Sequence, residues 1–151
     1  MEPRLSNLAE ANPAIYKALS ALEMQLQAGG LEKSLYELVK IRASQINSCA
    51  FCIHMHTTDA RKAGESEMRI YLLDAWRETP CFTPRERAAL AWTEALTHVS
   101  ETHAPDADYA EVAKHFSPAE QVVLTSLIGM INSWNRLAIG FRMMPKVEQA
   151  A

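Results

Sequence analysis

Two helix starts of the same kind constrain the fold of this chain more than any other feature. They are Thr83-Pro84-Arg85-Glu86 and Ser117-Pro118-Ala119-Glu120, with a hydroxyl, a proline and a glutamate in the same order. The hydroxyl suits the N-cap, proline suits the first turn, and the glutamate can hydrogen-bond back to the cap residue, which together form a capping box. The helices that they open are expected to run to about Val99 and about Phe141. Since no convincing strand run occurs elsewhere, the sequence predicts an all-α fold.

The rest of the chain is also predicted to be helical. Apolar spacing predicts helices at about 13–28, 32–47, 49–64 and 65–77, and a short one at about 109–116 entered through Asp106 or Asp108. The first of these is expected to present one apolar face, made of Ile15, Leu19, Leu22 and Leu26. No repeat or linker divides the chain, so we expect a single helical domain over residues 1–151.

The last predicted helix is apolar over a wide arc, made of Leu124, Leu127, Ile128, Ile131, Trp134 and Leu137. In a chain of 151 residues, such a helix is either central to the core or covered by another subunit. Asn132, Asn135 and Arg136 make the same helix more polar than a core requires, so we expect them at a subunit contact, a pocket edge or the surface. Self-association of the chain is therefore expected.

Composition and charge argue against several classes of partner. The net charge is −3, which provides no basic surface for nucleic acid or for an anionic membrane. The first residues lack the basic and apolar regions of a signal peptide, and no later segment is expected to approach a membrane span. Cytoplasmic localisation is the resulting expectation. Three cysteines in a reducing compartment do not make a structural framework.

The residues that carry chemistry are concentrated around Cys49 and Cys52. If Cys49 stands at the start of a helix, Cys52 lies one turn further and His56 one turn beyond that, on the same face. The positive end of the helix lowers a thiol pKa, and an imidazole one turn away can accept the thiol proton. Ser48 or Asn47 is the expected N-cap. Glu37 lies on the preceding helix, and an antiparallel pair of helices would return it to the dithiol.

The cysteines and histidines of this segment are also compatible with other roles. Cys49 and Cys52 with His54 and His56 could bind zinc, although a second pair of ligands with similar spacing is absent. The two cysteines could also be a buried structural pair. His54 lies about 200° round a helix from Cys52, so we expect it to face a neighbouring helix or subunit. Cys81 is expected to be a half-buried loop residue, and the three tryptophans are expected in the core or an interface.

The spacing of the four central residues resembles a known active-site pattern. Glu37, then eleven residues, Cys49-x-x-Cys52, three residues and His56 match the alkylhydroperoxidase D (AhpD) family of the carboxymuconolactone decarboxylase-like superfamily. The flanking residues 44–52 and 56–65 are also similar to that family. The likeness is strong over about 35–99 and looser over the last helix. One departure is Phe51, which stands where better-studied members often have histidine.

The resemblance implies a thiol-dependent peroxidase or disulfide oxidoreductase that reduces organic hydroperoxides. Cys52 would attack the peroxide, Cys49 would resolve the sulfenic acid, and His56 with Glu37 would relay the proton. The helix-dipole argument by itself slightly favours Cys49 as the attacking thiol. The implied reductant is dihydrolipoamide or a thioredoxin-like donor, with a peroxiredoxin as a further partner. The implied assembly is a homo-trimer or homo-hexamer, and no cofactor or metal is expected.

Two further function classes remain open at the level of sequence. One is a non-enzymatic redox-sensing protein whose dithiol switches an oligomer interface. The other is a decarboxylase or lactone-acting enzyme of the wider superfamily, although members with that chemistry generally lack the dithiol.

Overall fold

The structure is a computed structural model, and it describes residues 2–147 of the chain. In chain order its elements are α1 (Leu8–Ala11), α2 (Pro13–Gln27), α3 (Lys33–Ile46), α4 (Ala50–Lys62), α5 (Glu67–Tyr71), a 3-10 helix (Leu73–Glu78), α6 (Pro84–Thr97), α7 (Val99–Thr102), α8 (Asp106–His115) and α9 (Pro118–Phe141). Residues 2–147 contain no strand. The prediction of an all-α fold is confirmed.

Both predicted capping boxes are present. The Thr83 hydroxyl accepts a hydrogen bond from the backbone N–H of Glu86, and the Glu86 carboxylate accepts one from the backbone N–H of Thr83. Ser117 and Glu120 form the same pair of bonds at the start of α9. Each box satisfies two backbone donors that a helix would otherwise leave without partners. The starts of α6 and α9 are therefore determined locally.

Helix α3 lies at the centre of the fold and packs against α4, α6 and α9. Its Leu38, Val39 and Ile41 are completely buried. Since neighbouring helices surround it, its polar residues Glu37 and Lys40 are buried as well. A buried polar group needs a hydrogen-bond or ion-pair partner inside the protein, so Glu37 and Lys40 are expected to have polar partners on the helices around α3.

Helix α9 is also a core helix. Its Leu124, Leu127 and Ile131 are completely buried, and it packs against α2, α3, α6 and α8. Its mean hydropathy of 1.2 over an 18-residue window makes it long and apolar enough to cross a membrane by composition alone. The prediction that no segment approaches a membrane span is wrong by that criterion. Within the protein itself 44% of the window is buried, and a single helix of this length and composition is weak evidence for a membrane span.

Several predicted boundaries are wrong. The helix predicted over 65–77 is divided into α5 and a 3-10 helix, with non-helical backbone at Ala75. Leu73 and Trp76, on either side of that kink, are both buried. Helix α8 begins at Asp106 instead of Tyr109, directly after Pro105, which serves as its N-cap. The short helices α1 and α7 were not predicted.

The apolar face of α2 is only partly covered. Leu26 is buried near the C-terminus of the helix, whereas Ile15 and Leu22 are 57% and 45% exposed. The predicted helix is confirmed, and its apolar face is buried only in part. Helices α1 and α9 both pack against α2, but they leave Ile15 and Leu22 exposed.

Candidate functional site

The turn between α3 and α4 brings Cys49 to the start of α4. Cys49 is the N-cap, and its sulfur accepts a hydrogen bond from the backbone N–H of Cys52 at 3.4 Å. The prediction of Ser48 or Asn47 as the N-cap is wrong. Ser48 adopts left-handed backbone (φ 56°), which turns the chain between the two helices. Asn47 is the C-cap of α3, and its side chain points to α9.

A buried network of amides fixes this turn. The Asn47 side-chain amide donates to the side-chain oxygens of Asn132 and Asn135, both at 2.9 Å. Asn135 donates to the Ser44 hydroxyl at 3.0 Å, and the backbone N–H of Cys49 donates to the Ser44 carbonyl at 2.9 Å. Asn132 and Asn135 are therefore internal residues, and their expected location at a subunit contact, pocket edge or surface is wrong. Their side-chain amides form hydrogen bonds that stabilise the turn before Cys49.

Cys49 and Cys52 are joined by a disulfide in this structure, with their Cα atoms 5.3 Å apart. The two residues are 1% and 2% exposed. They pack against Ala138 of α9, with Phe51 and Met143 at the margin of the cluster. The two cysteines are thus buried, and Cys52 lines the cavity beside them.

Glu37 and His56 meet across the antiparallel pair α3 and α4, as the sequence suggested. The Nδ1 atom of His56 lies 3.0 Å from Oε2 of Glu37, and the two residues are 5% and 8% exposed. An ionised carboxylate only accepts hydrogen bonds, so Nδ1 is the donor and Nε2 carries the lone pair. That Nε2 atom is buried and has no hydrogen-bond partner among the described residues. It is available to accept a proton.

A cavity of about 560 Å³ connects these groups. Cys52, His56 and Glu37 line it, whereas Cys49 lies behind Cys52 against Ala138. The other wall is largely apolar and includes Met24, Phe51, Met55, Trp134 and Met143. The N-terminal residues 5–9 close one side. A space of this size and lining accommodates a small organic molecule with an apolar body.

A second polar cluster lines the same cavity, and it was not predicted from the sequence. Glu23 of α2 forms an ion pair with Lys40 of α3 and accepts hydrogen bonds from the Tyr36 hydroxyl and from Trp134 Nε1, the last at 3.1 Å. Burial alone would raise the pKa of Glu23, but Lys40 and these hydrogen bonds outweigh it and hold the pKa below its ordinary value. Burial, with the negative Glu23 beside it, raises the pKa of Tyr36.

The detection of this cluster required the tertiary structure. The only signal in the sequence is the charged Lys40 within the apolar run Leu38, Val39 and Ile41. In isolation Lys40 suits an ion pair with Glu37 one turn earlier, but the fold pairs it with Glu23 instead. Trp134, expected in the core or an interface, lines the cavity and stacks edge-to-face on Tyr16.

The remaining histidine and cysteine lie apart from this constellation. His54 is partly exposed and does not line the cavity of Cys52. Cys81 is half-buried, accepts a hydrogen bond from the Thr79 hydroxyl at 3.1 Å and packs at the edge of a separate apolar cluster. The expectation for Cys81 is confirmed. Over residues 2–147 there is no group of three His, Cys, Asp or Glu side chains arranged to hold a metal ion, so the geometry gives the zinc alternative no support.

The fold and the site define a class: an all-α protein with a Cys-x-x-Cys pair set beside a histidine–glutamate pair. The sequence model of the carboxymuconolactone decarboxylase family matches residues 13–95, more than half of the chain. The chain belongs to this family. Its resemblance to the AhpD-like proteins of the superfamily is confirmed by relatives of known sequence and structure.

Three relatives illustrate the match. The chain is 43% identical over 130 residues to the uncharacterized protein YdfG of Bacillus subtilis (strain 168), covering 86% of this chain and 88% of that protein. A crystal structure of a protein of unknown function from Agrobacterium tumefaciens, provisionally assigned as an antioxidant defence protein AhpD, has a TM-score of 0.93 and 47% identity, covering 97% of this chain and 100% of that one. A peroxidase-related protein from Silicibacter sp. TM1040 has a TM-score of 0.80 and 25% identity, over 90% of this chain and 72% of its own.

Proposed function

We propose that this protein is a dithiol oxidoreductase that reduces organic hydroperoxides. The observation that carries the proposal is the cavity in which Cys52 stands beside the unpartnered Nε2 atom of His56, with Glu37 holding the other ring nitrogen. A thiol peroxidase needs a thiolate, a base for the thiol proton and a second thiol within reach of the oxidised sulfur. All three are supplied by residues 37–56. The apolar cavity wall suits the organic part of a hydroperoxide.

The reaction begins from the reduced dithiol. His56 Nε2 takes the proton of the Cys52 thiol, while Glu37 stabilises the resulting imidazolium through Nδ1. The thiolate attacks the terminal oxygen of the hydroperoxide, so an S–O bond forms and the O–O bond breaks. The leaving alkoxide receives the proton, giving an alcohol and the Cys52 sulfenic acid. The Cys49 thiol then displaces water and forms the disulfide.

Several partners and properties belong to the same proposal. An external dithiol, either dihydrolipoamide or a thioredoxin-like donor, reduces the disulfide and completes the cycle. A peroxiredoxin is a further candidate partner. We place the protein in the cytoplasm, as a single domain over residues 1–151 that assembles as a homo-trimer or homo-hexamer. The exposed apolar residues of α2 support the assembly because isolated monomers rarely leave a continuous apolar face open.

The direct test measures the consumption of cumene hydroperoxide driven by dihydrolipoamide. Wild type should turn over, and Cys52→Ser should not, because serine cannot form the sulfenic acid. Cys81→Ser is the matched control, since it makes the same substitution outside the cavity, and it should behave as wild type. Equal turnover by Cys52→Ser and wild type would refute the assignment.

Additional measurements distinguish the two alternative functions, a redox sensor and a decarboxylase-type enzyme. If the wild type shows no turnover, yet hydroperoxide or diamide still forms the Cys49–Cys52 disulfide and changes the assembly size, the protein is a redox sensor. If the chain instead consumes a lactone or releases carbon dioxide from a carboxylated substrate with both cysteines replaced by serine, it is a decarboxylase-type member of the superfamily.

A further inference from the structure

One buried cation in the cavity has no part in the relay of Glu37 and His56. Lys40 lies one turn after Glu37 on α3 and is 3% exposed. Among the described residues that line the cavity of Cys52, it is the only lysine or arginine. Its ammonium therefore provides the fixed positive charge of that cavity.

The surroundings of Lys40 hold it in place without using all of its donors. The ammonium donates to Oε1 of Glu23 and lies 4.7 Å from the centre of the Tyr36 ring. Glu23 is itself fixed by hydrogen bonds from Tyr36 and Trp134. An ammonium has three N–H donors, and among the described residues Lys40 directs only one of them to an oxygen or nitrogen acceptor. The other donors have no oxygen or nitrogen acceptor among the described residues, and Lys40 lines the cavity.

Burying such a pair is costly, and apolar residues of similar size would often stabilise a fold equally well. A catalytic role for the positive charge of Lys40 would explain why the protein keeps this buried ion pair. Cleavage of the O–O bond leaves a developing negative charge on the alkoxide oxygen of an alkyl hydroperoxide. His56 carries the proton taken from Cys52, but an alkoxide is a poor leaving group unless a donor stabilises it as the bond breaks.

We propose that Lys40 is a catalytic residue that donates a hydrogen bond to the leaving oxygen of the hydroperoxide, and that Glu23 positions it. This inference rests on the proposed peroxidase function. In the balanced step the Cys52 thiolate bonds to the terminal oxygen, the O–O electron pair moves to the alkoxide, and the proton held by His56 completes the alcohol. Lys40 stabilises the alkoxide during bond cleavage and retains its own protons. It thereby makes the site suited to alkyl hydroperoxides, whose alkoxides are strongly basic.

The test compares two oxidants that differ in leaving group. Reduced protein is mixed with tert-butyl hydroperoxide, which releases an alkoxide, or with peracetic acid, which releases acetate and needs little stabilisation. The loss of protein thiols in a single turnover is followed by rapid quenching. Lys40→Met should slow oxidation by tert-butyl hydroperoxide about 100-fold, the effect of removing one donor to a developing oxyanion. Oxidation by peracetic acid should change little.

Two control variants make the comparison specific. Lys17→Met places the same substitution on the exposed surface of α2 and should leave both rates as in wild type. The double variant Glu23→Gln/Lys40→Met removes both charges, so that no partly buried carboxylate is left unpaired should Lys40→Met fail to fold. The double variant should show the same selective loss. The rate of Cys52 alkylation by iodoacetamide reports thiolate reactivity separately, and it should be similar in all folded variants.

The outcomes distinguish a failure of the proposed role of Lys40 from a failure of the proposed peroxidase function. Selective loss with tert-butyl hydroperoxide supports the role of Lys40. Equal rates in wild type and the Lys40 variants, or equal slowing with both oxidants and with iodoacetamide, would overturn it and leave the peroxidase proposal intact. If reduced wild type is not oxidised by either peroxide at a rate above that of Cys52→Ser, the proposed function fails and the inference fails with it.

Discussion

Cys49 and Cys52 occupy different environments although only two residues separate them. Cys52 lines the cavity together with His56, whereas Cys49 caps α4 and packs toward Ala138. The attacking thiol must meet both the base and the substrate, so this asymmetry supports Cys52 in that role and Cys49 as the resolving thiol. The helix-dipole argument from sequence leaned slightly toward Cys49, because it considered the charge of the helix end without the position of the cavity.

Replacement of Cys49 tests this division of roles. Cys49→Ser should form a stable sulfenic acid on Cys52 after one equivalent of hydroperoxide, because no thiol remains to displace water. A dimedone adduct located by peptide mass spectrometry is the measurement. Cys52→Ser is the matched comparison, and its Cys49 should stay unlabelled. An adduct on Cys49 in that variant, with none on Cys52 in Cys49→Ser, would reverse the assignment.

At the level of single residues, the sequence predicted that Glu37 and His56 lie beside the dithiol, and it missed the cluster of Glu23 and Lys40 in the same cavity. Cys49, Cys52 and His56 lie within eight positions on one helix, so helical geometry alone relates them. Glu37 was assigned to the site because its spacing before Cys49 matches the AhpD active-site pattern. Glu23 and Lys40 are 17 positions apart and lie on two different helices, α2 and α3. No local rule predicts such a pair.

Among the elements, the contact between α2 and α9 depends on the absence of a side chain. A Cβ atom added at Gly29 would lie 2.7 Å from Cγ1 and 2.9 Å from Cγ2 of Val123, and valine has little freedom to move away. The end of α2 can therefore approach α9 closely only because residue 29 is glycine. This contact also fixes the end of the helix that contributes Glu23 to the cavity.

Substitution of Gly29 should therefore weaken the fold. Gly29→Ala should lower the free energy of unfolding by about 1–3 kcal/mol, the usual cost of overpacking. Gly129→Ala is the matched control, since a Cβ there meets nothing within 4 Å on an exposed position of α9. It should be neutral or stabilising by about 1 kcal/mol because alanine is the better helix former. Urea unfolding of both variants provides the measurement, and a neutral Gly29→Ala would contradict the close contact.

The elements also differ in how well their ends could be predicted. The starts of α6 and α9 were predicted correctly because each capping box is a local arrangement of four residues. The division between α5 and the 3-10 helix was not predicted; the 3-10 segment buries Leu73 and Trp76 and packs against α3. Sequence patterns describe what a segment can do alone, and tertiary packing decides where it bends.

For the whole molecule, partly buried carboxylates connect helices that are distant in sequence. Glu94 of α6 accepts hydrogen bonds from Trp76 of the 3-10 helix and Arg42 of α3, both at 2.8 Å. Burial would raise its pKa, but these donors and Arg77 hold it below the ordinary value. The pKa of Glu86, which is paired with Arg69, is lowered in the same way against the effect of burial. With Glu23, these groups tie most of the helices together.

Stability should accordingly fall in acid. A carboxylate whose pKa is lower in the folded state is protonated first in the unfolded state, so stability is fully present above the ordinary pKa of 4.5 and is lost as the pH falls below it through the folded values. The free energy of unfolding in urea, measured at several pH values, should show this decline. Glu94→Gln should lower stability at neutral pH and make the decline shallower. A wild-type free energy that stays constant or rises in acid would contradict the prediction.

The sequence by itself determined the helical class, the best-capped helices and the dithiol with its base, because each of these follows from interactions between residues a few positions apart. Only the tertiary structure decided that Asn132 and Asn135 hold the turn before Cys49 and that Lys40 pairs with Glu23 in the cavity of Cys52. These contacts depend on the orientation of whole helices, which the packing of many apolar side chains sets together. Local periodicity carries no information about that orientation.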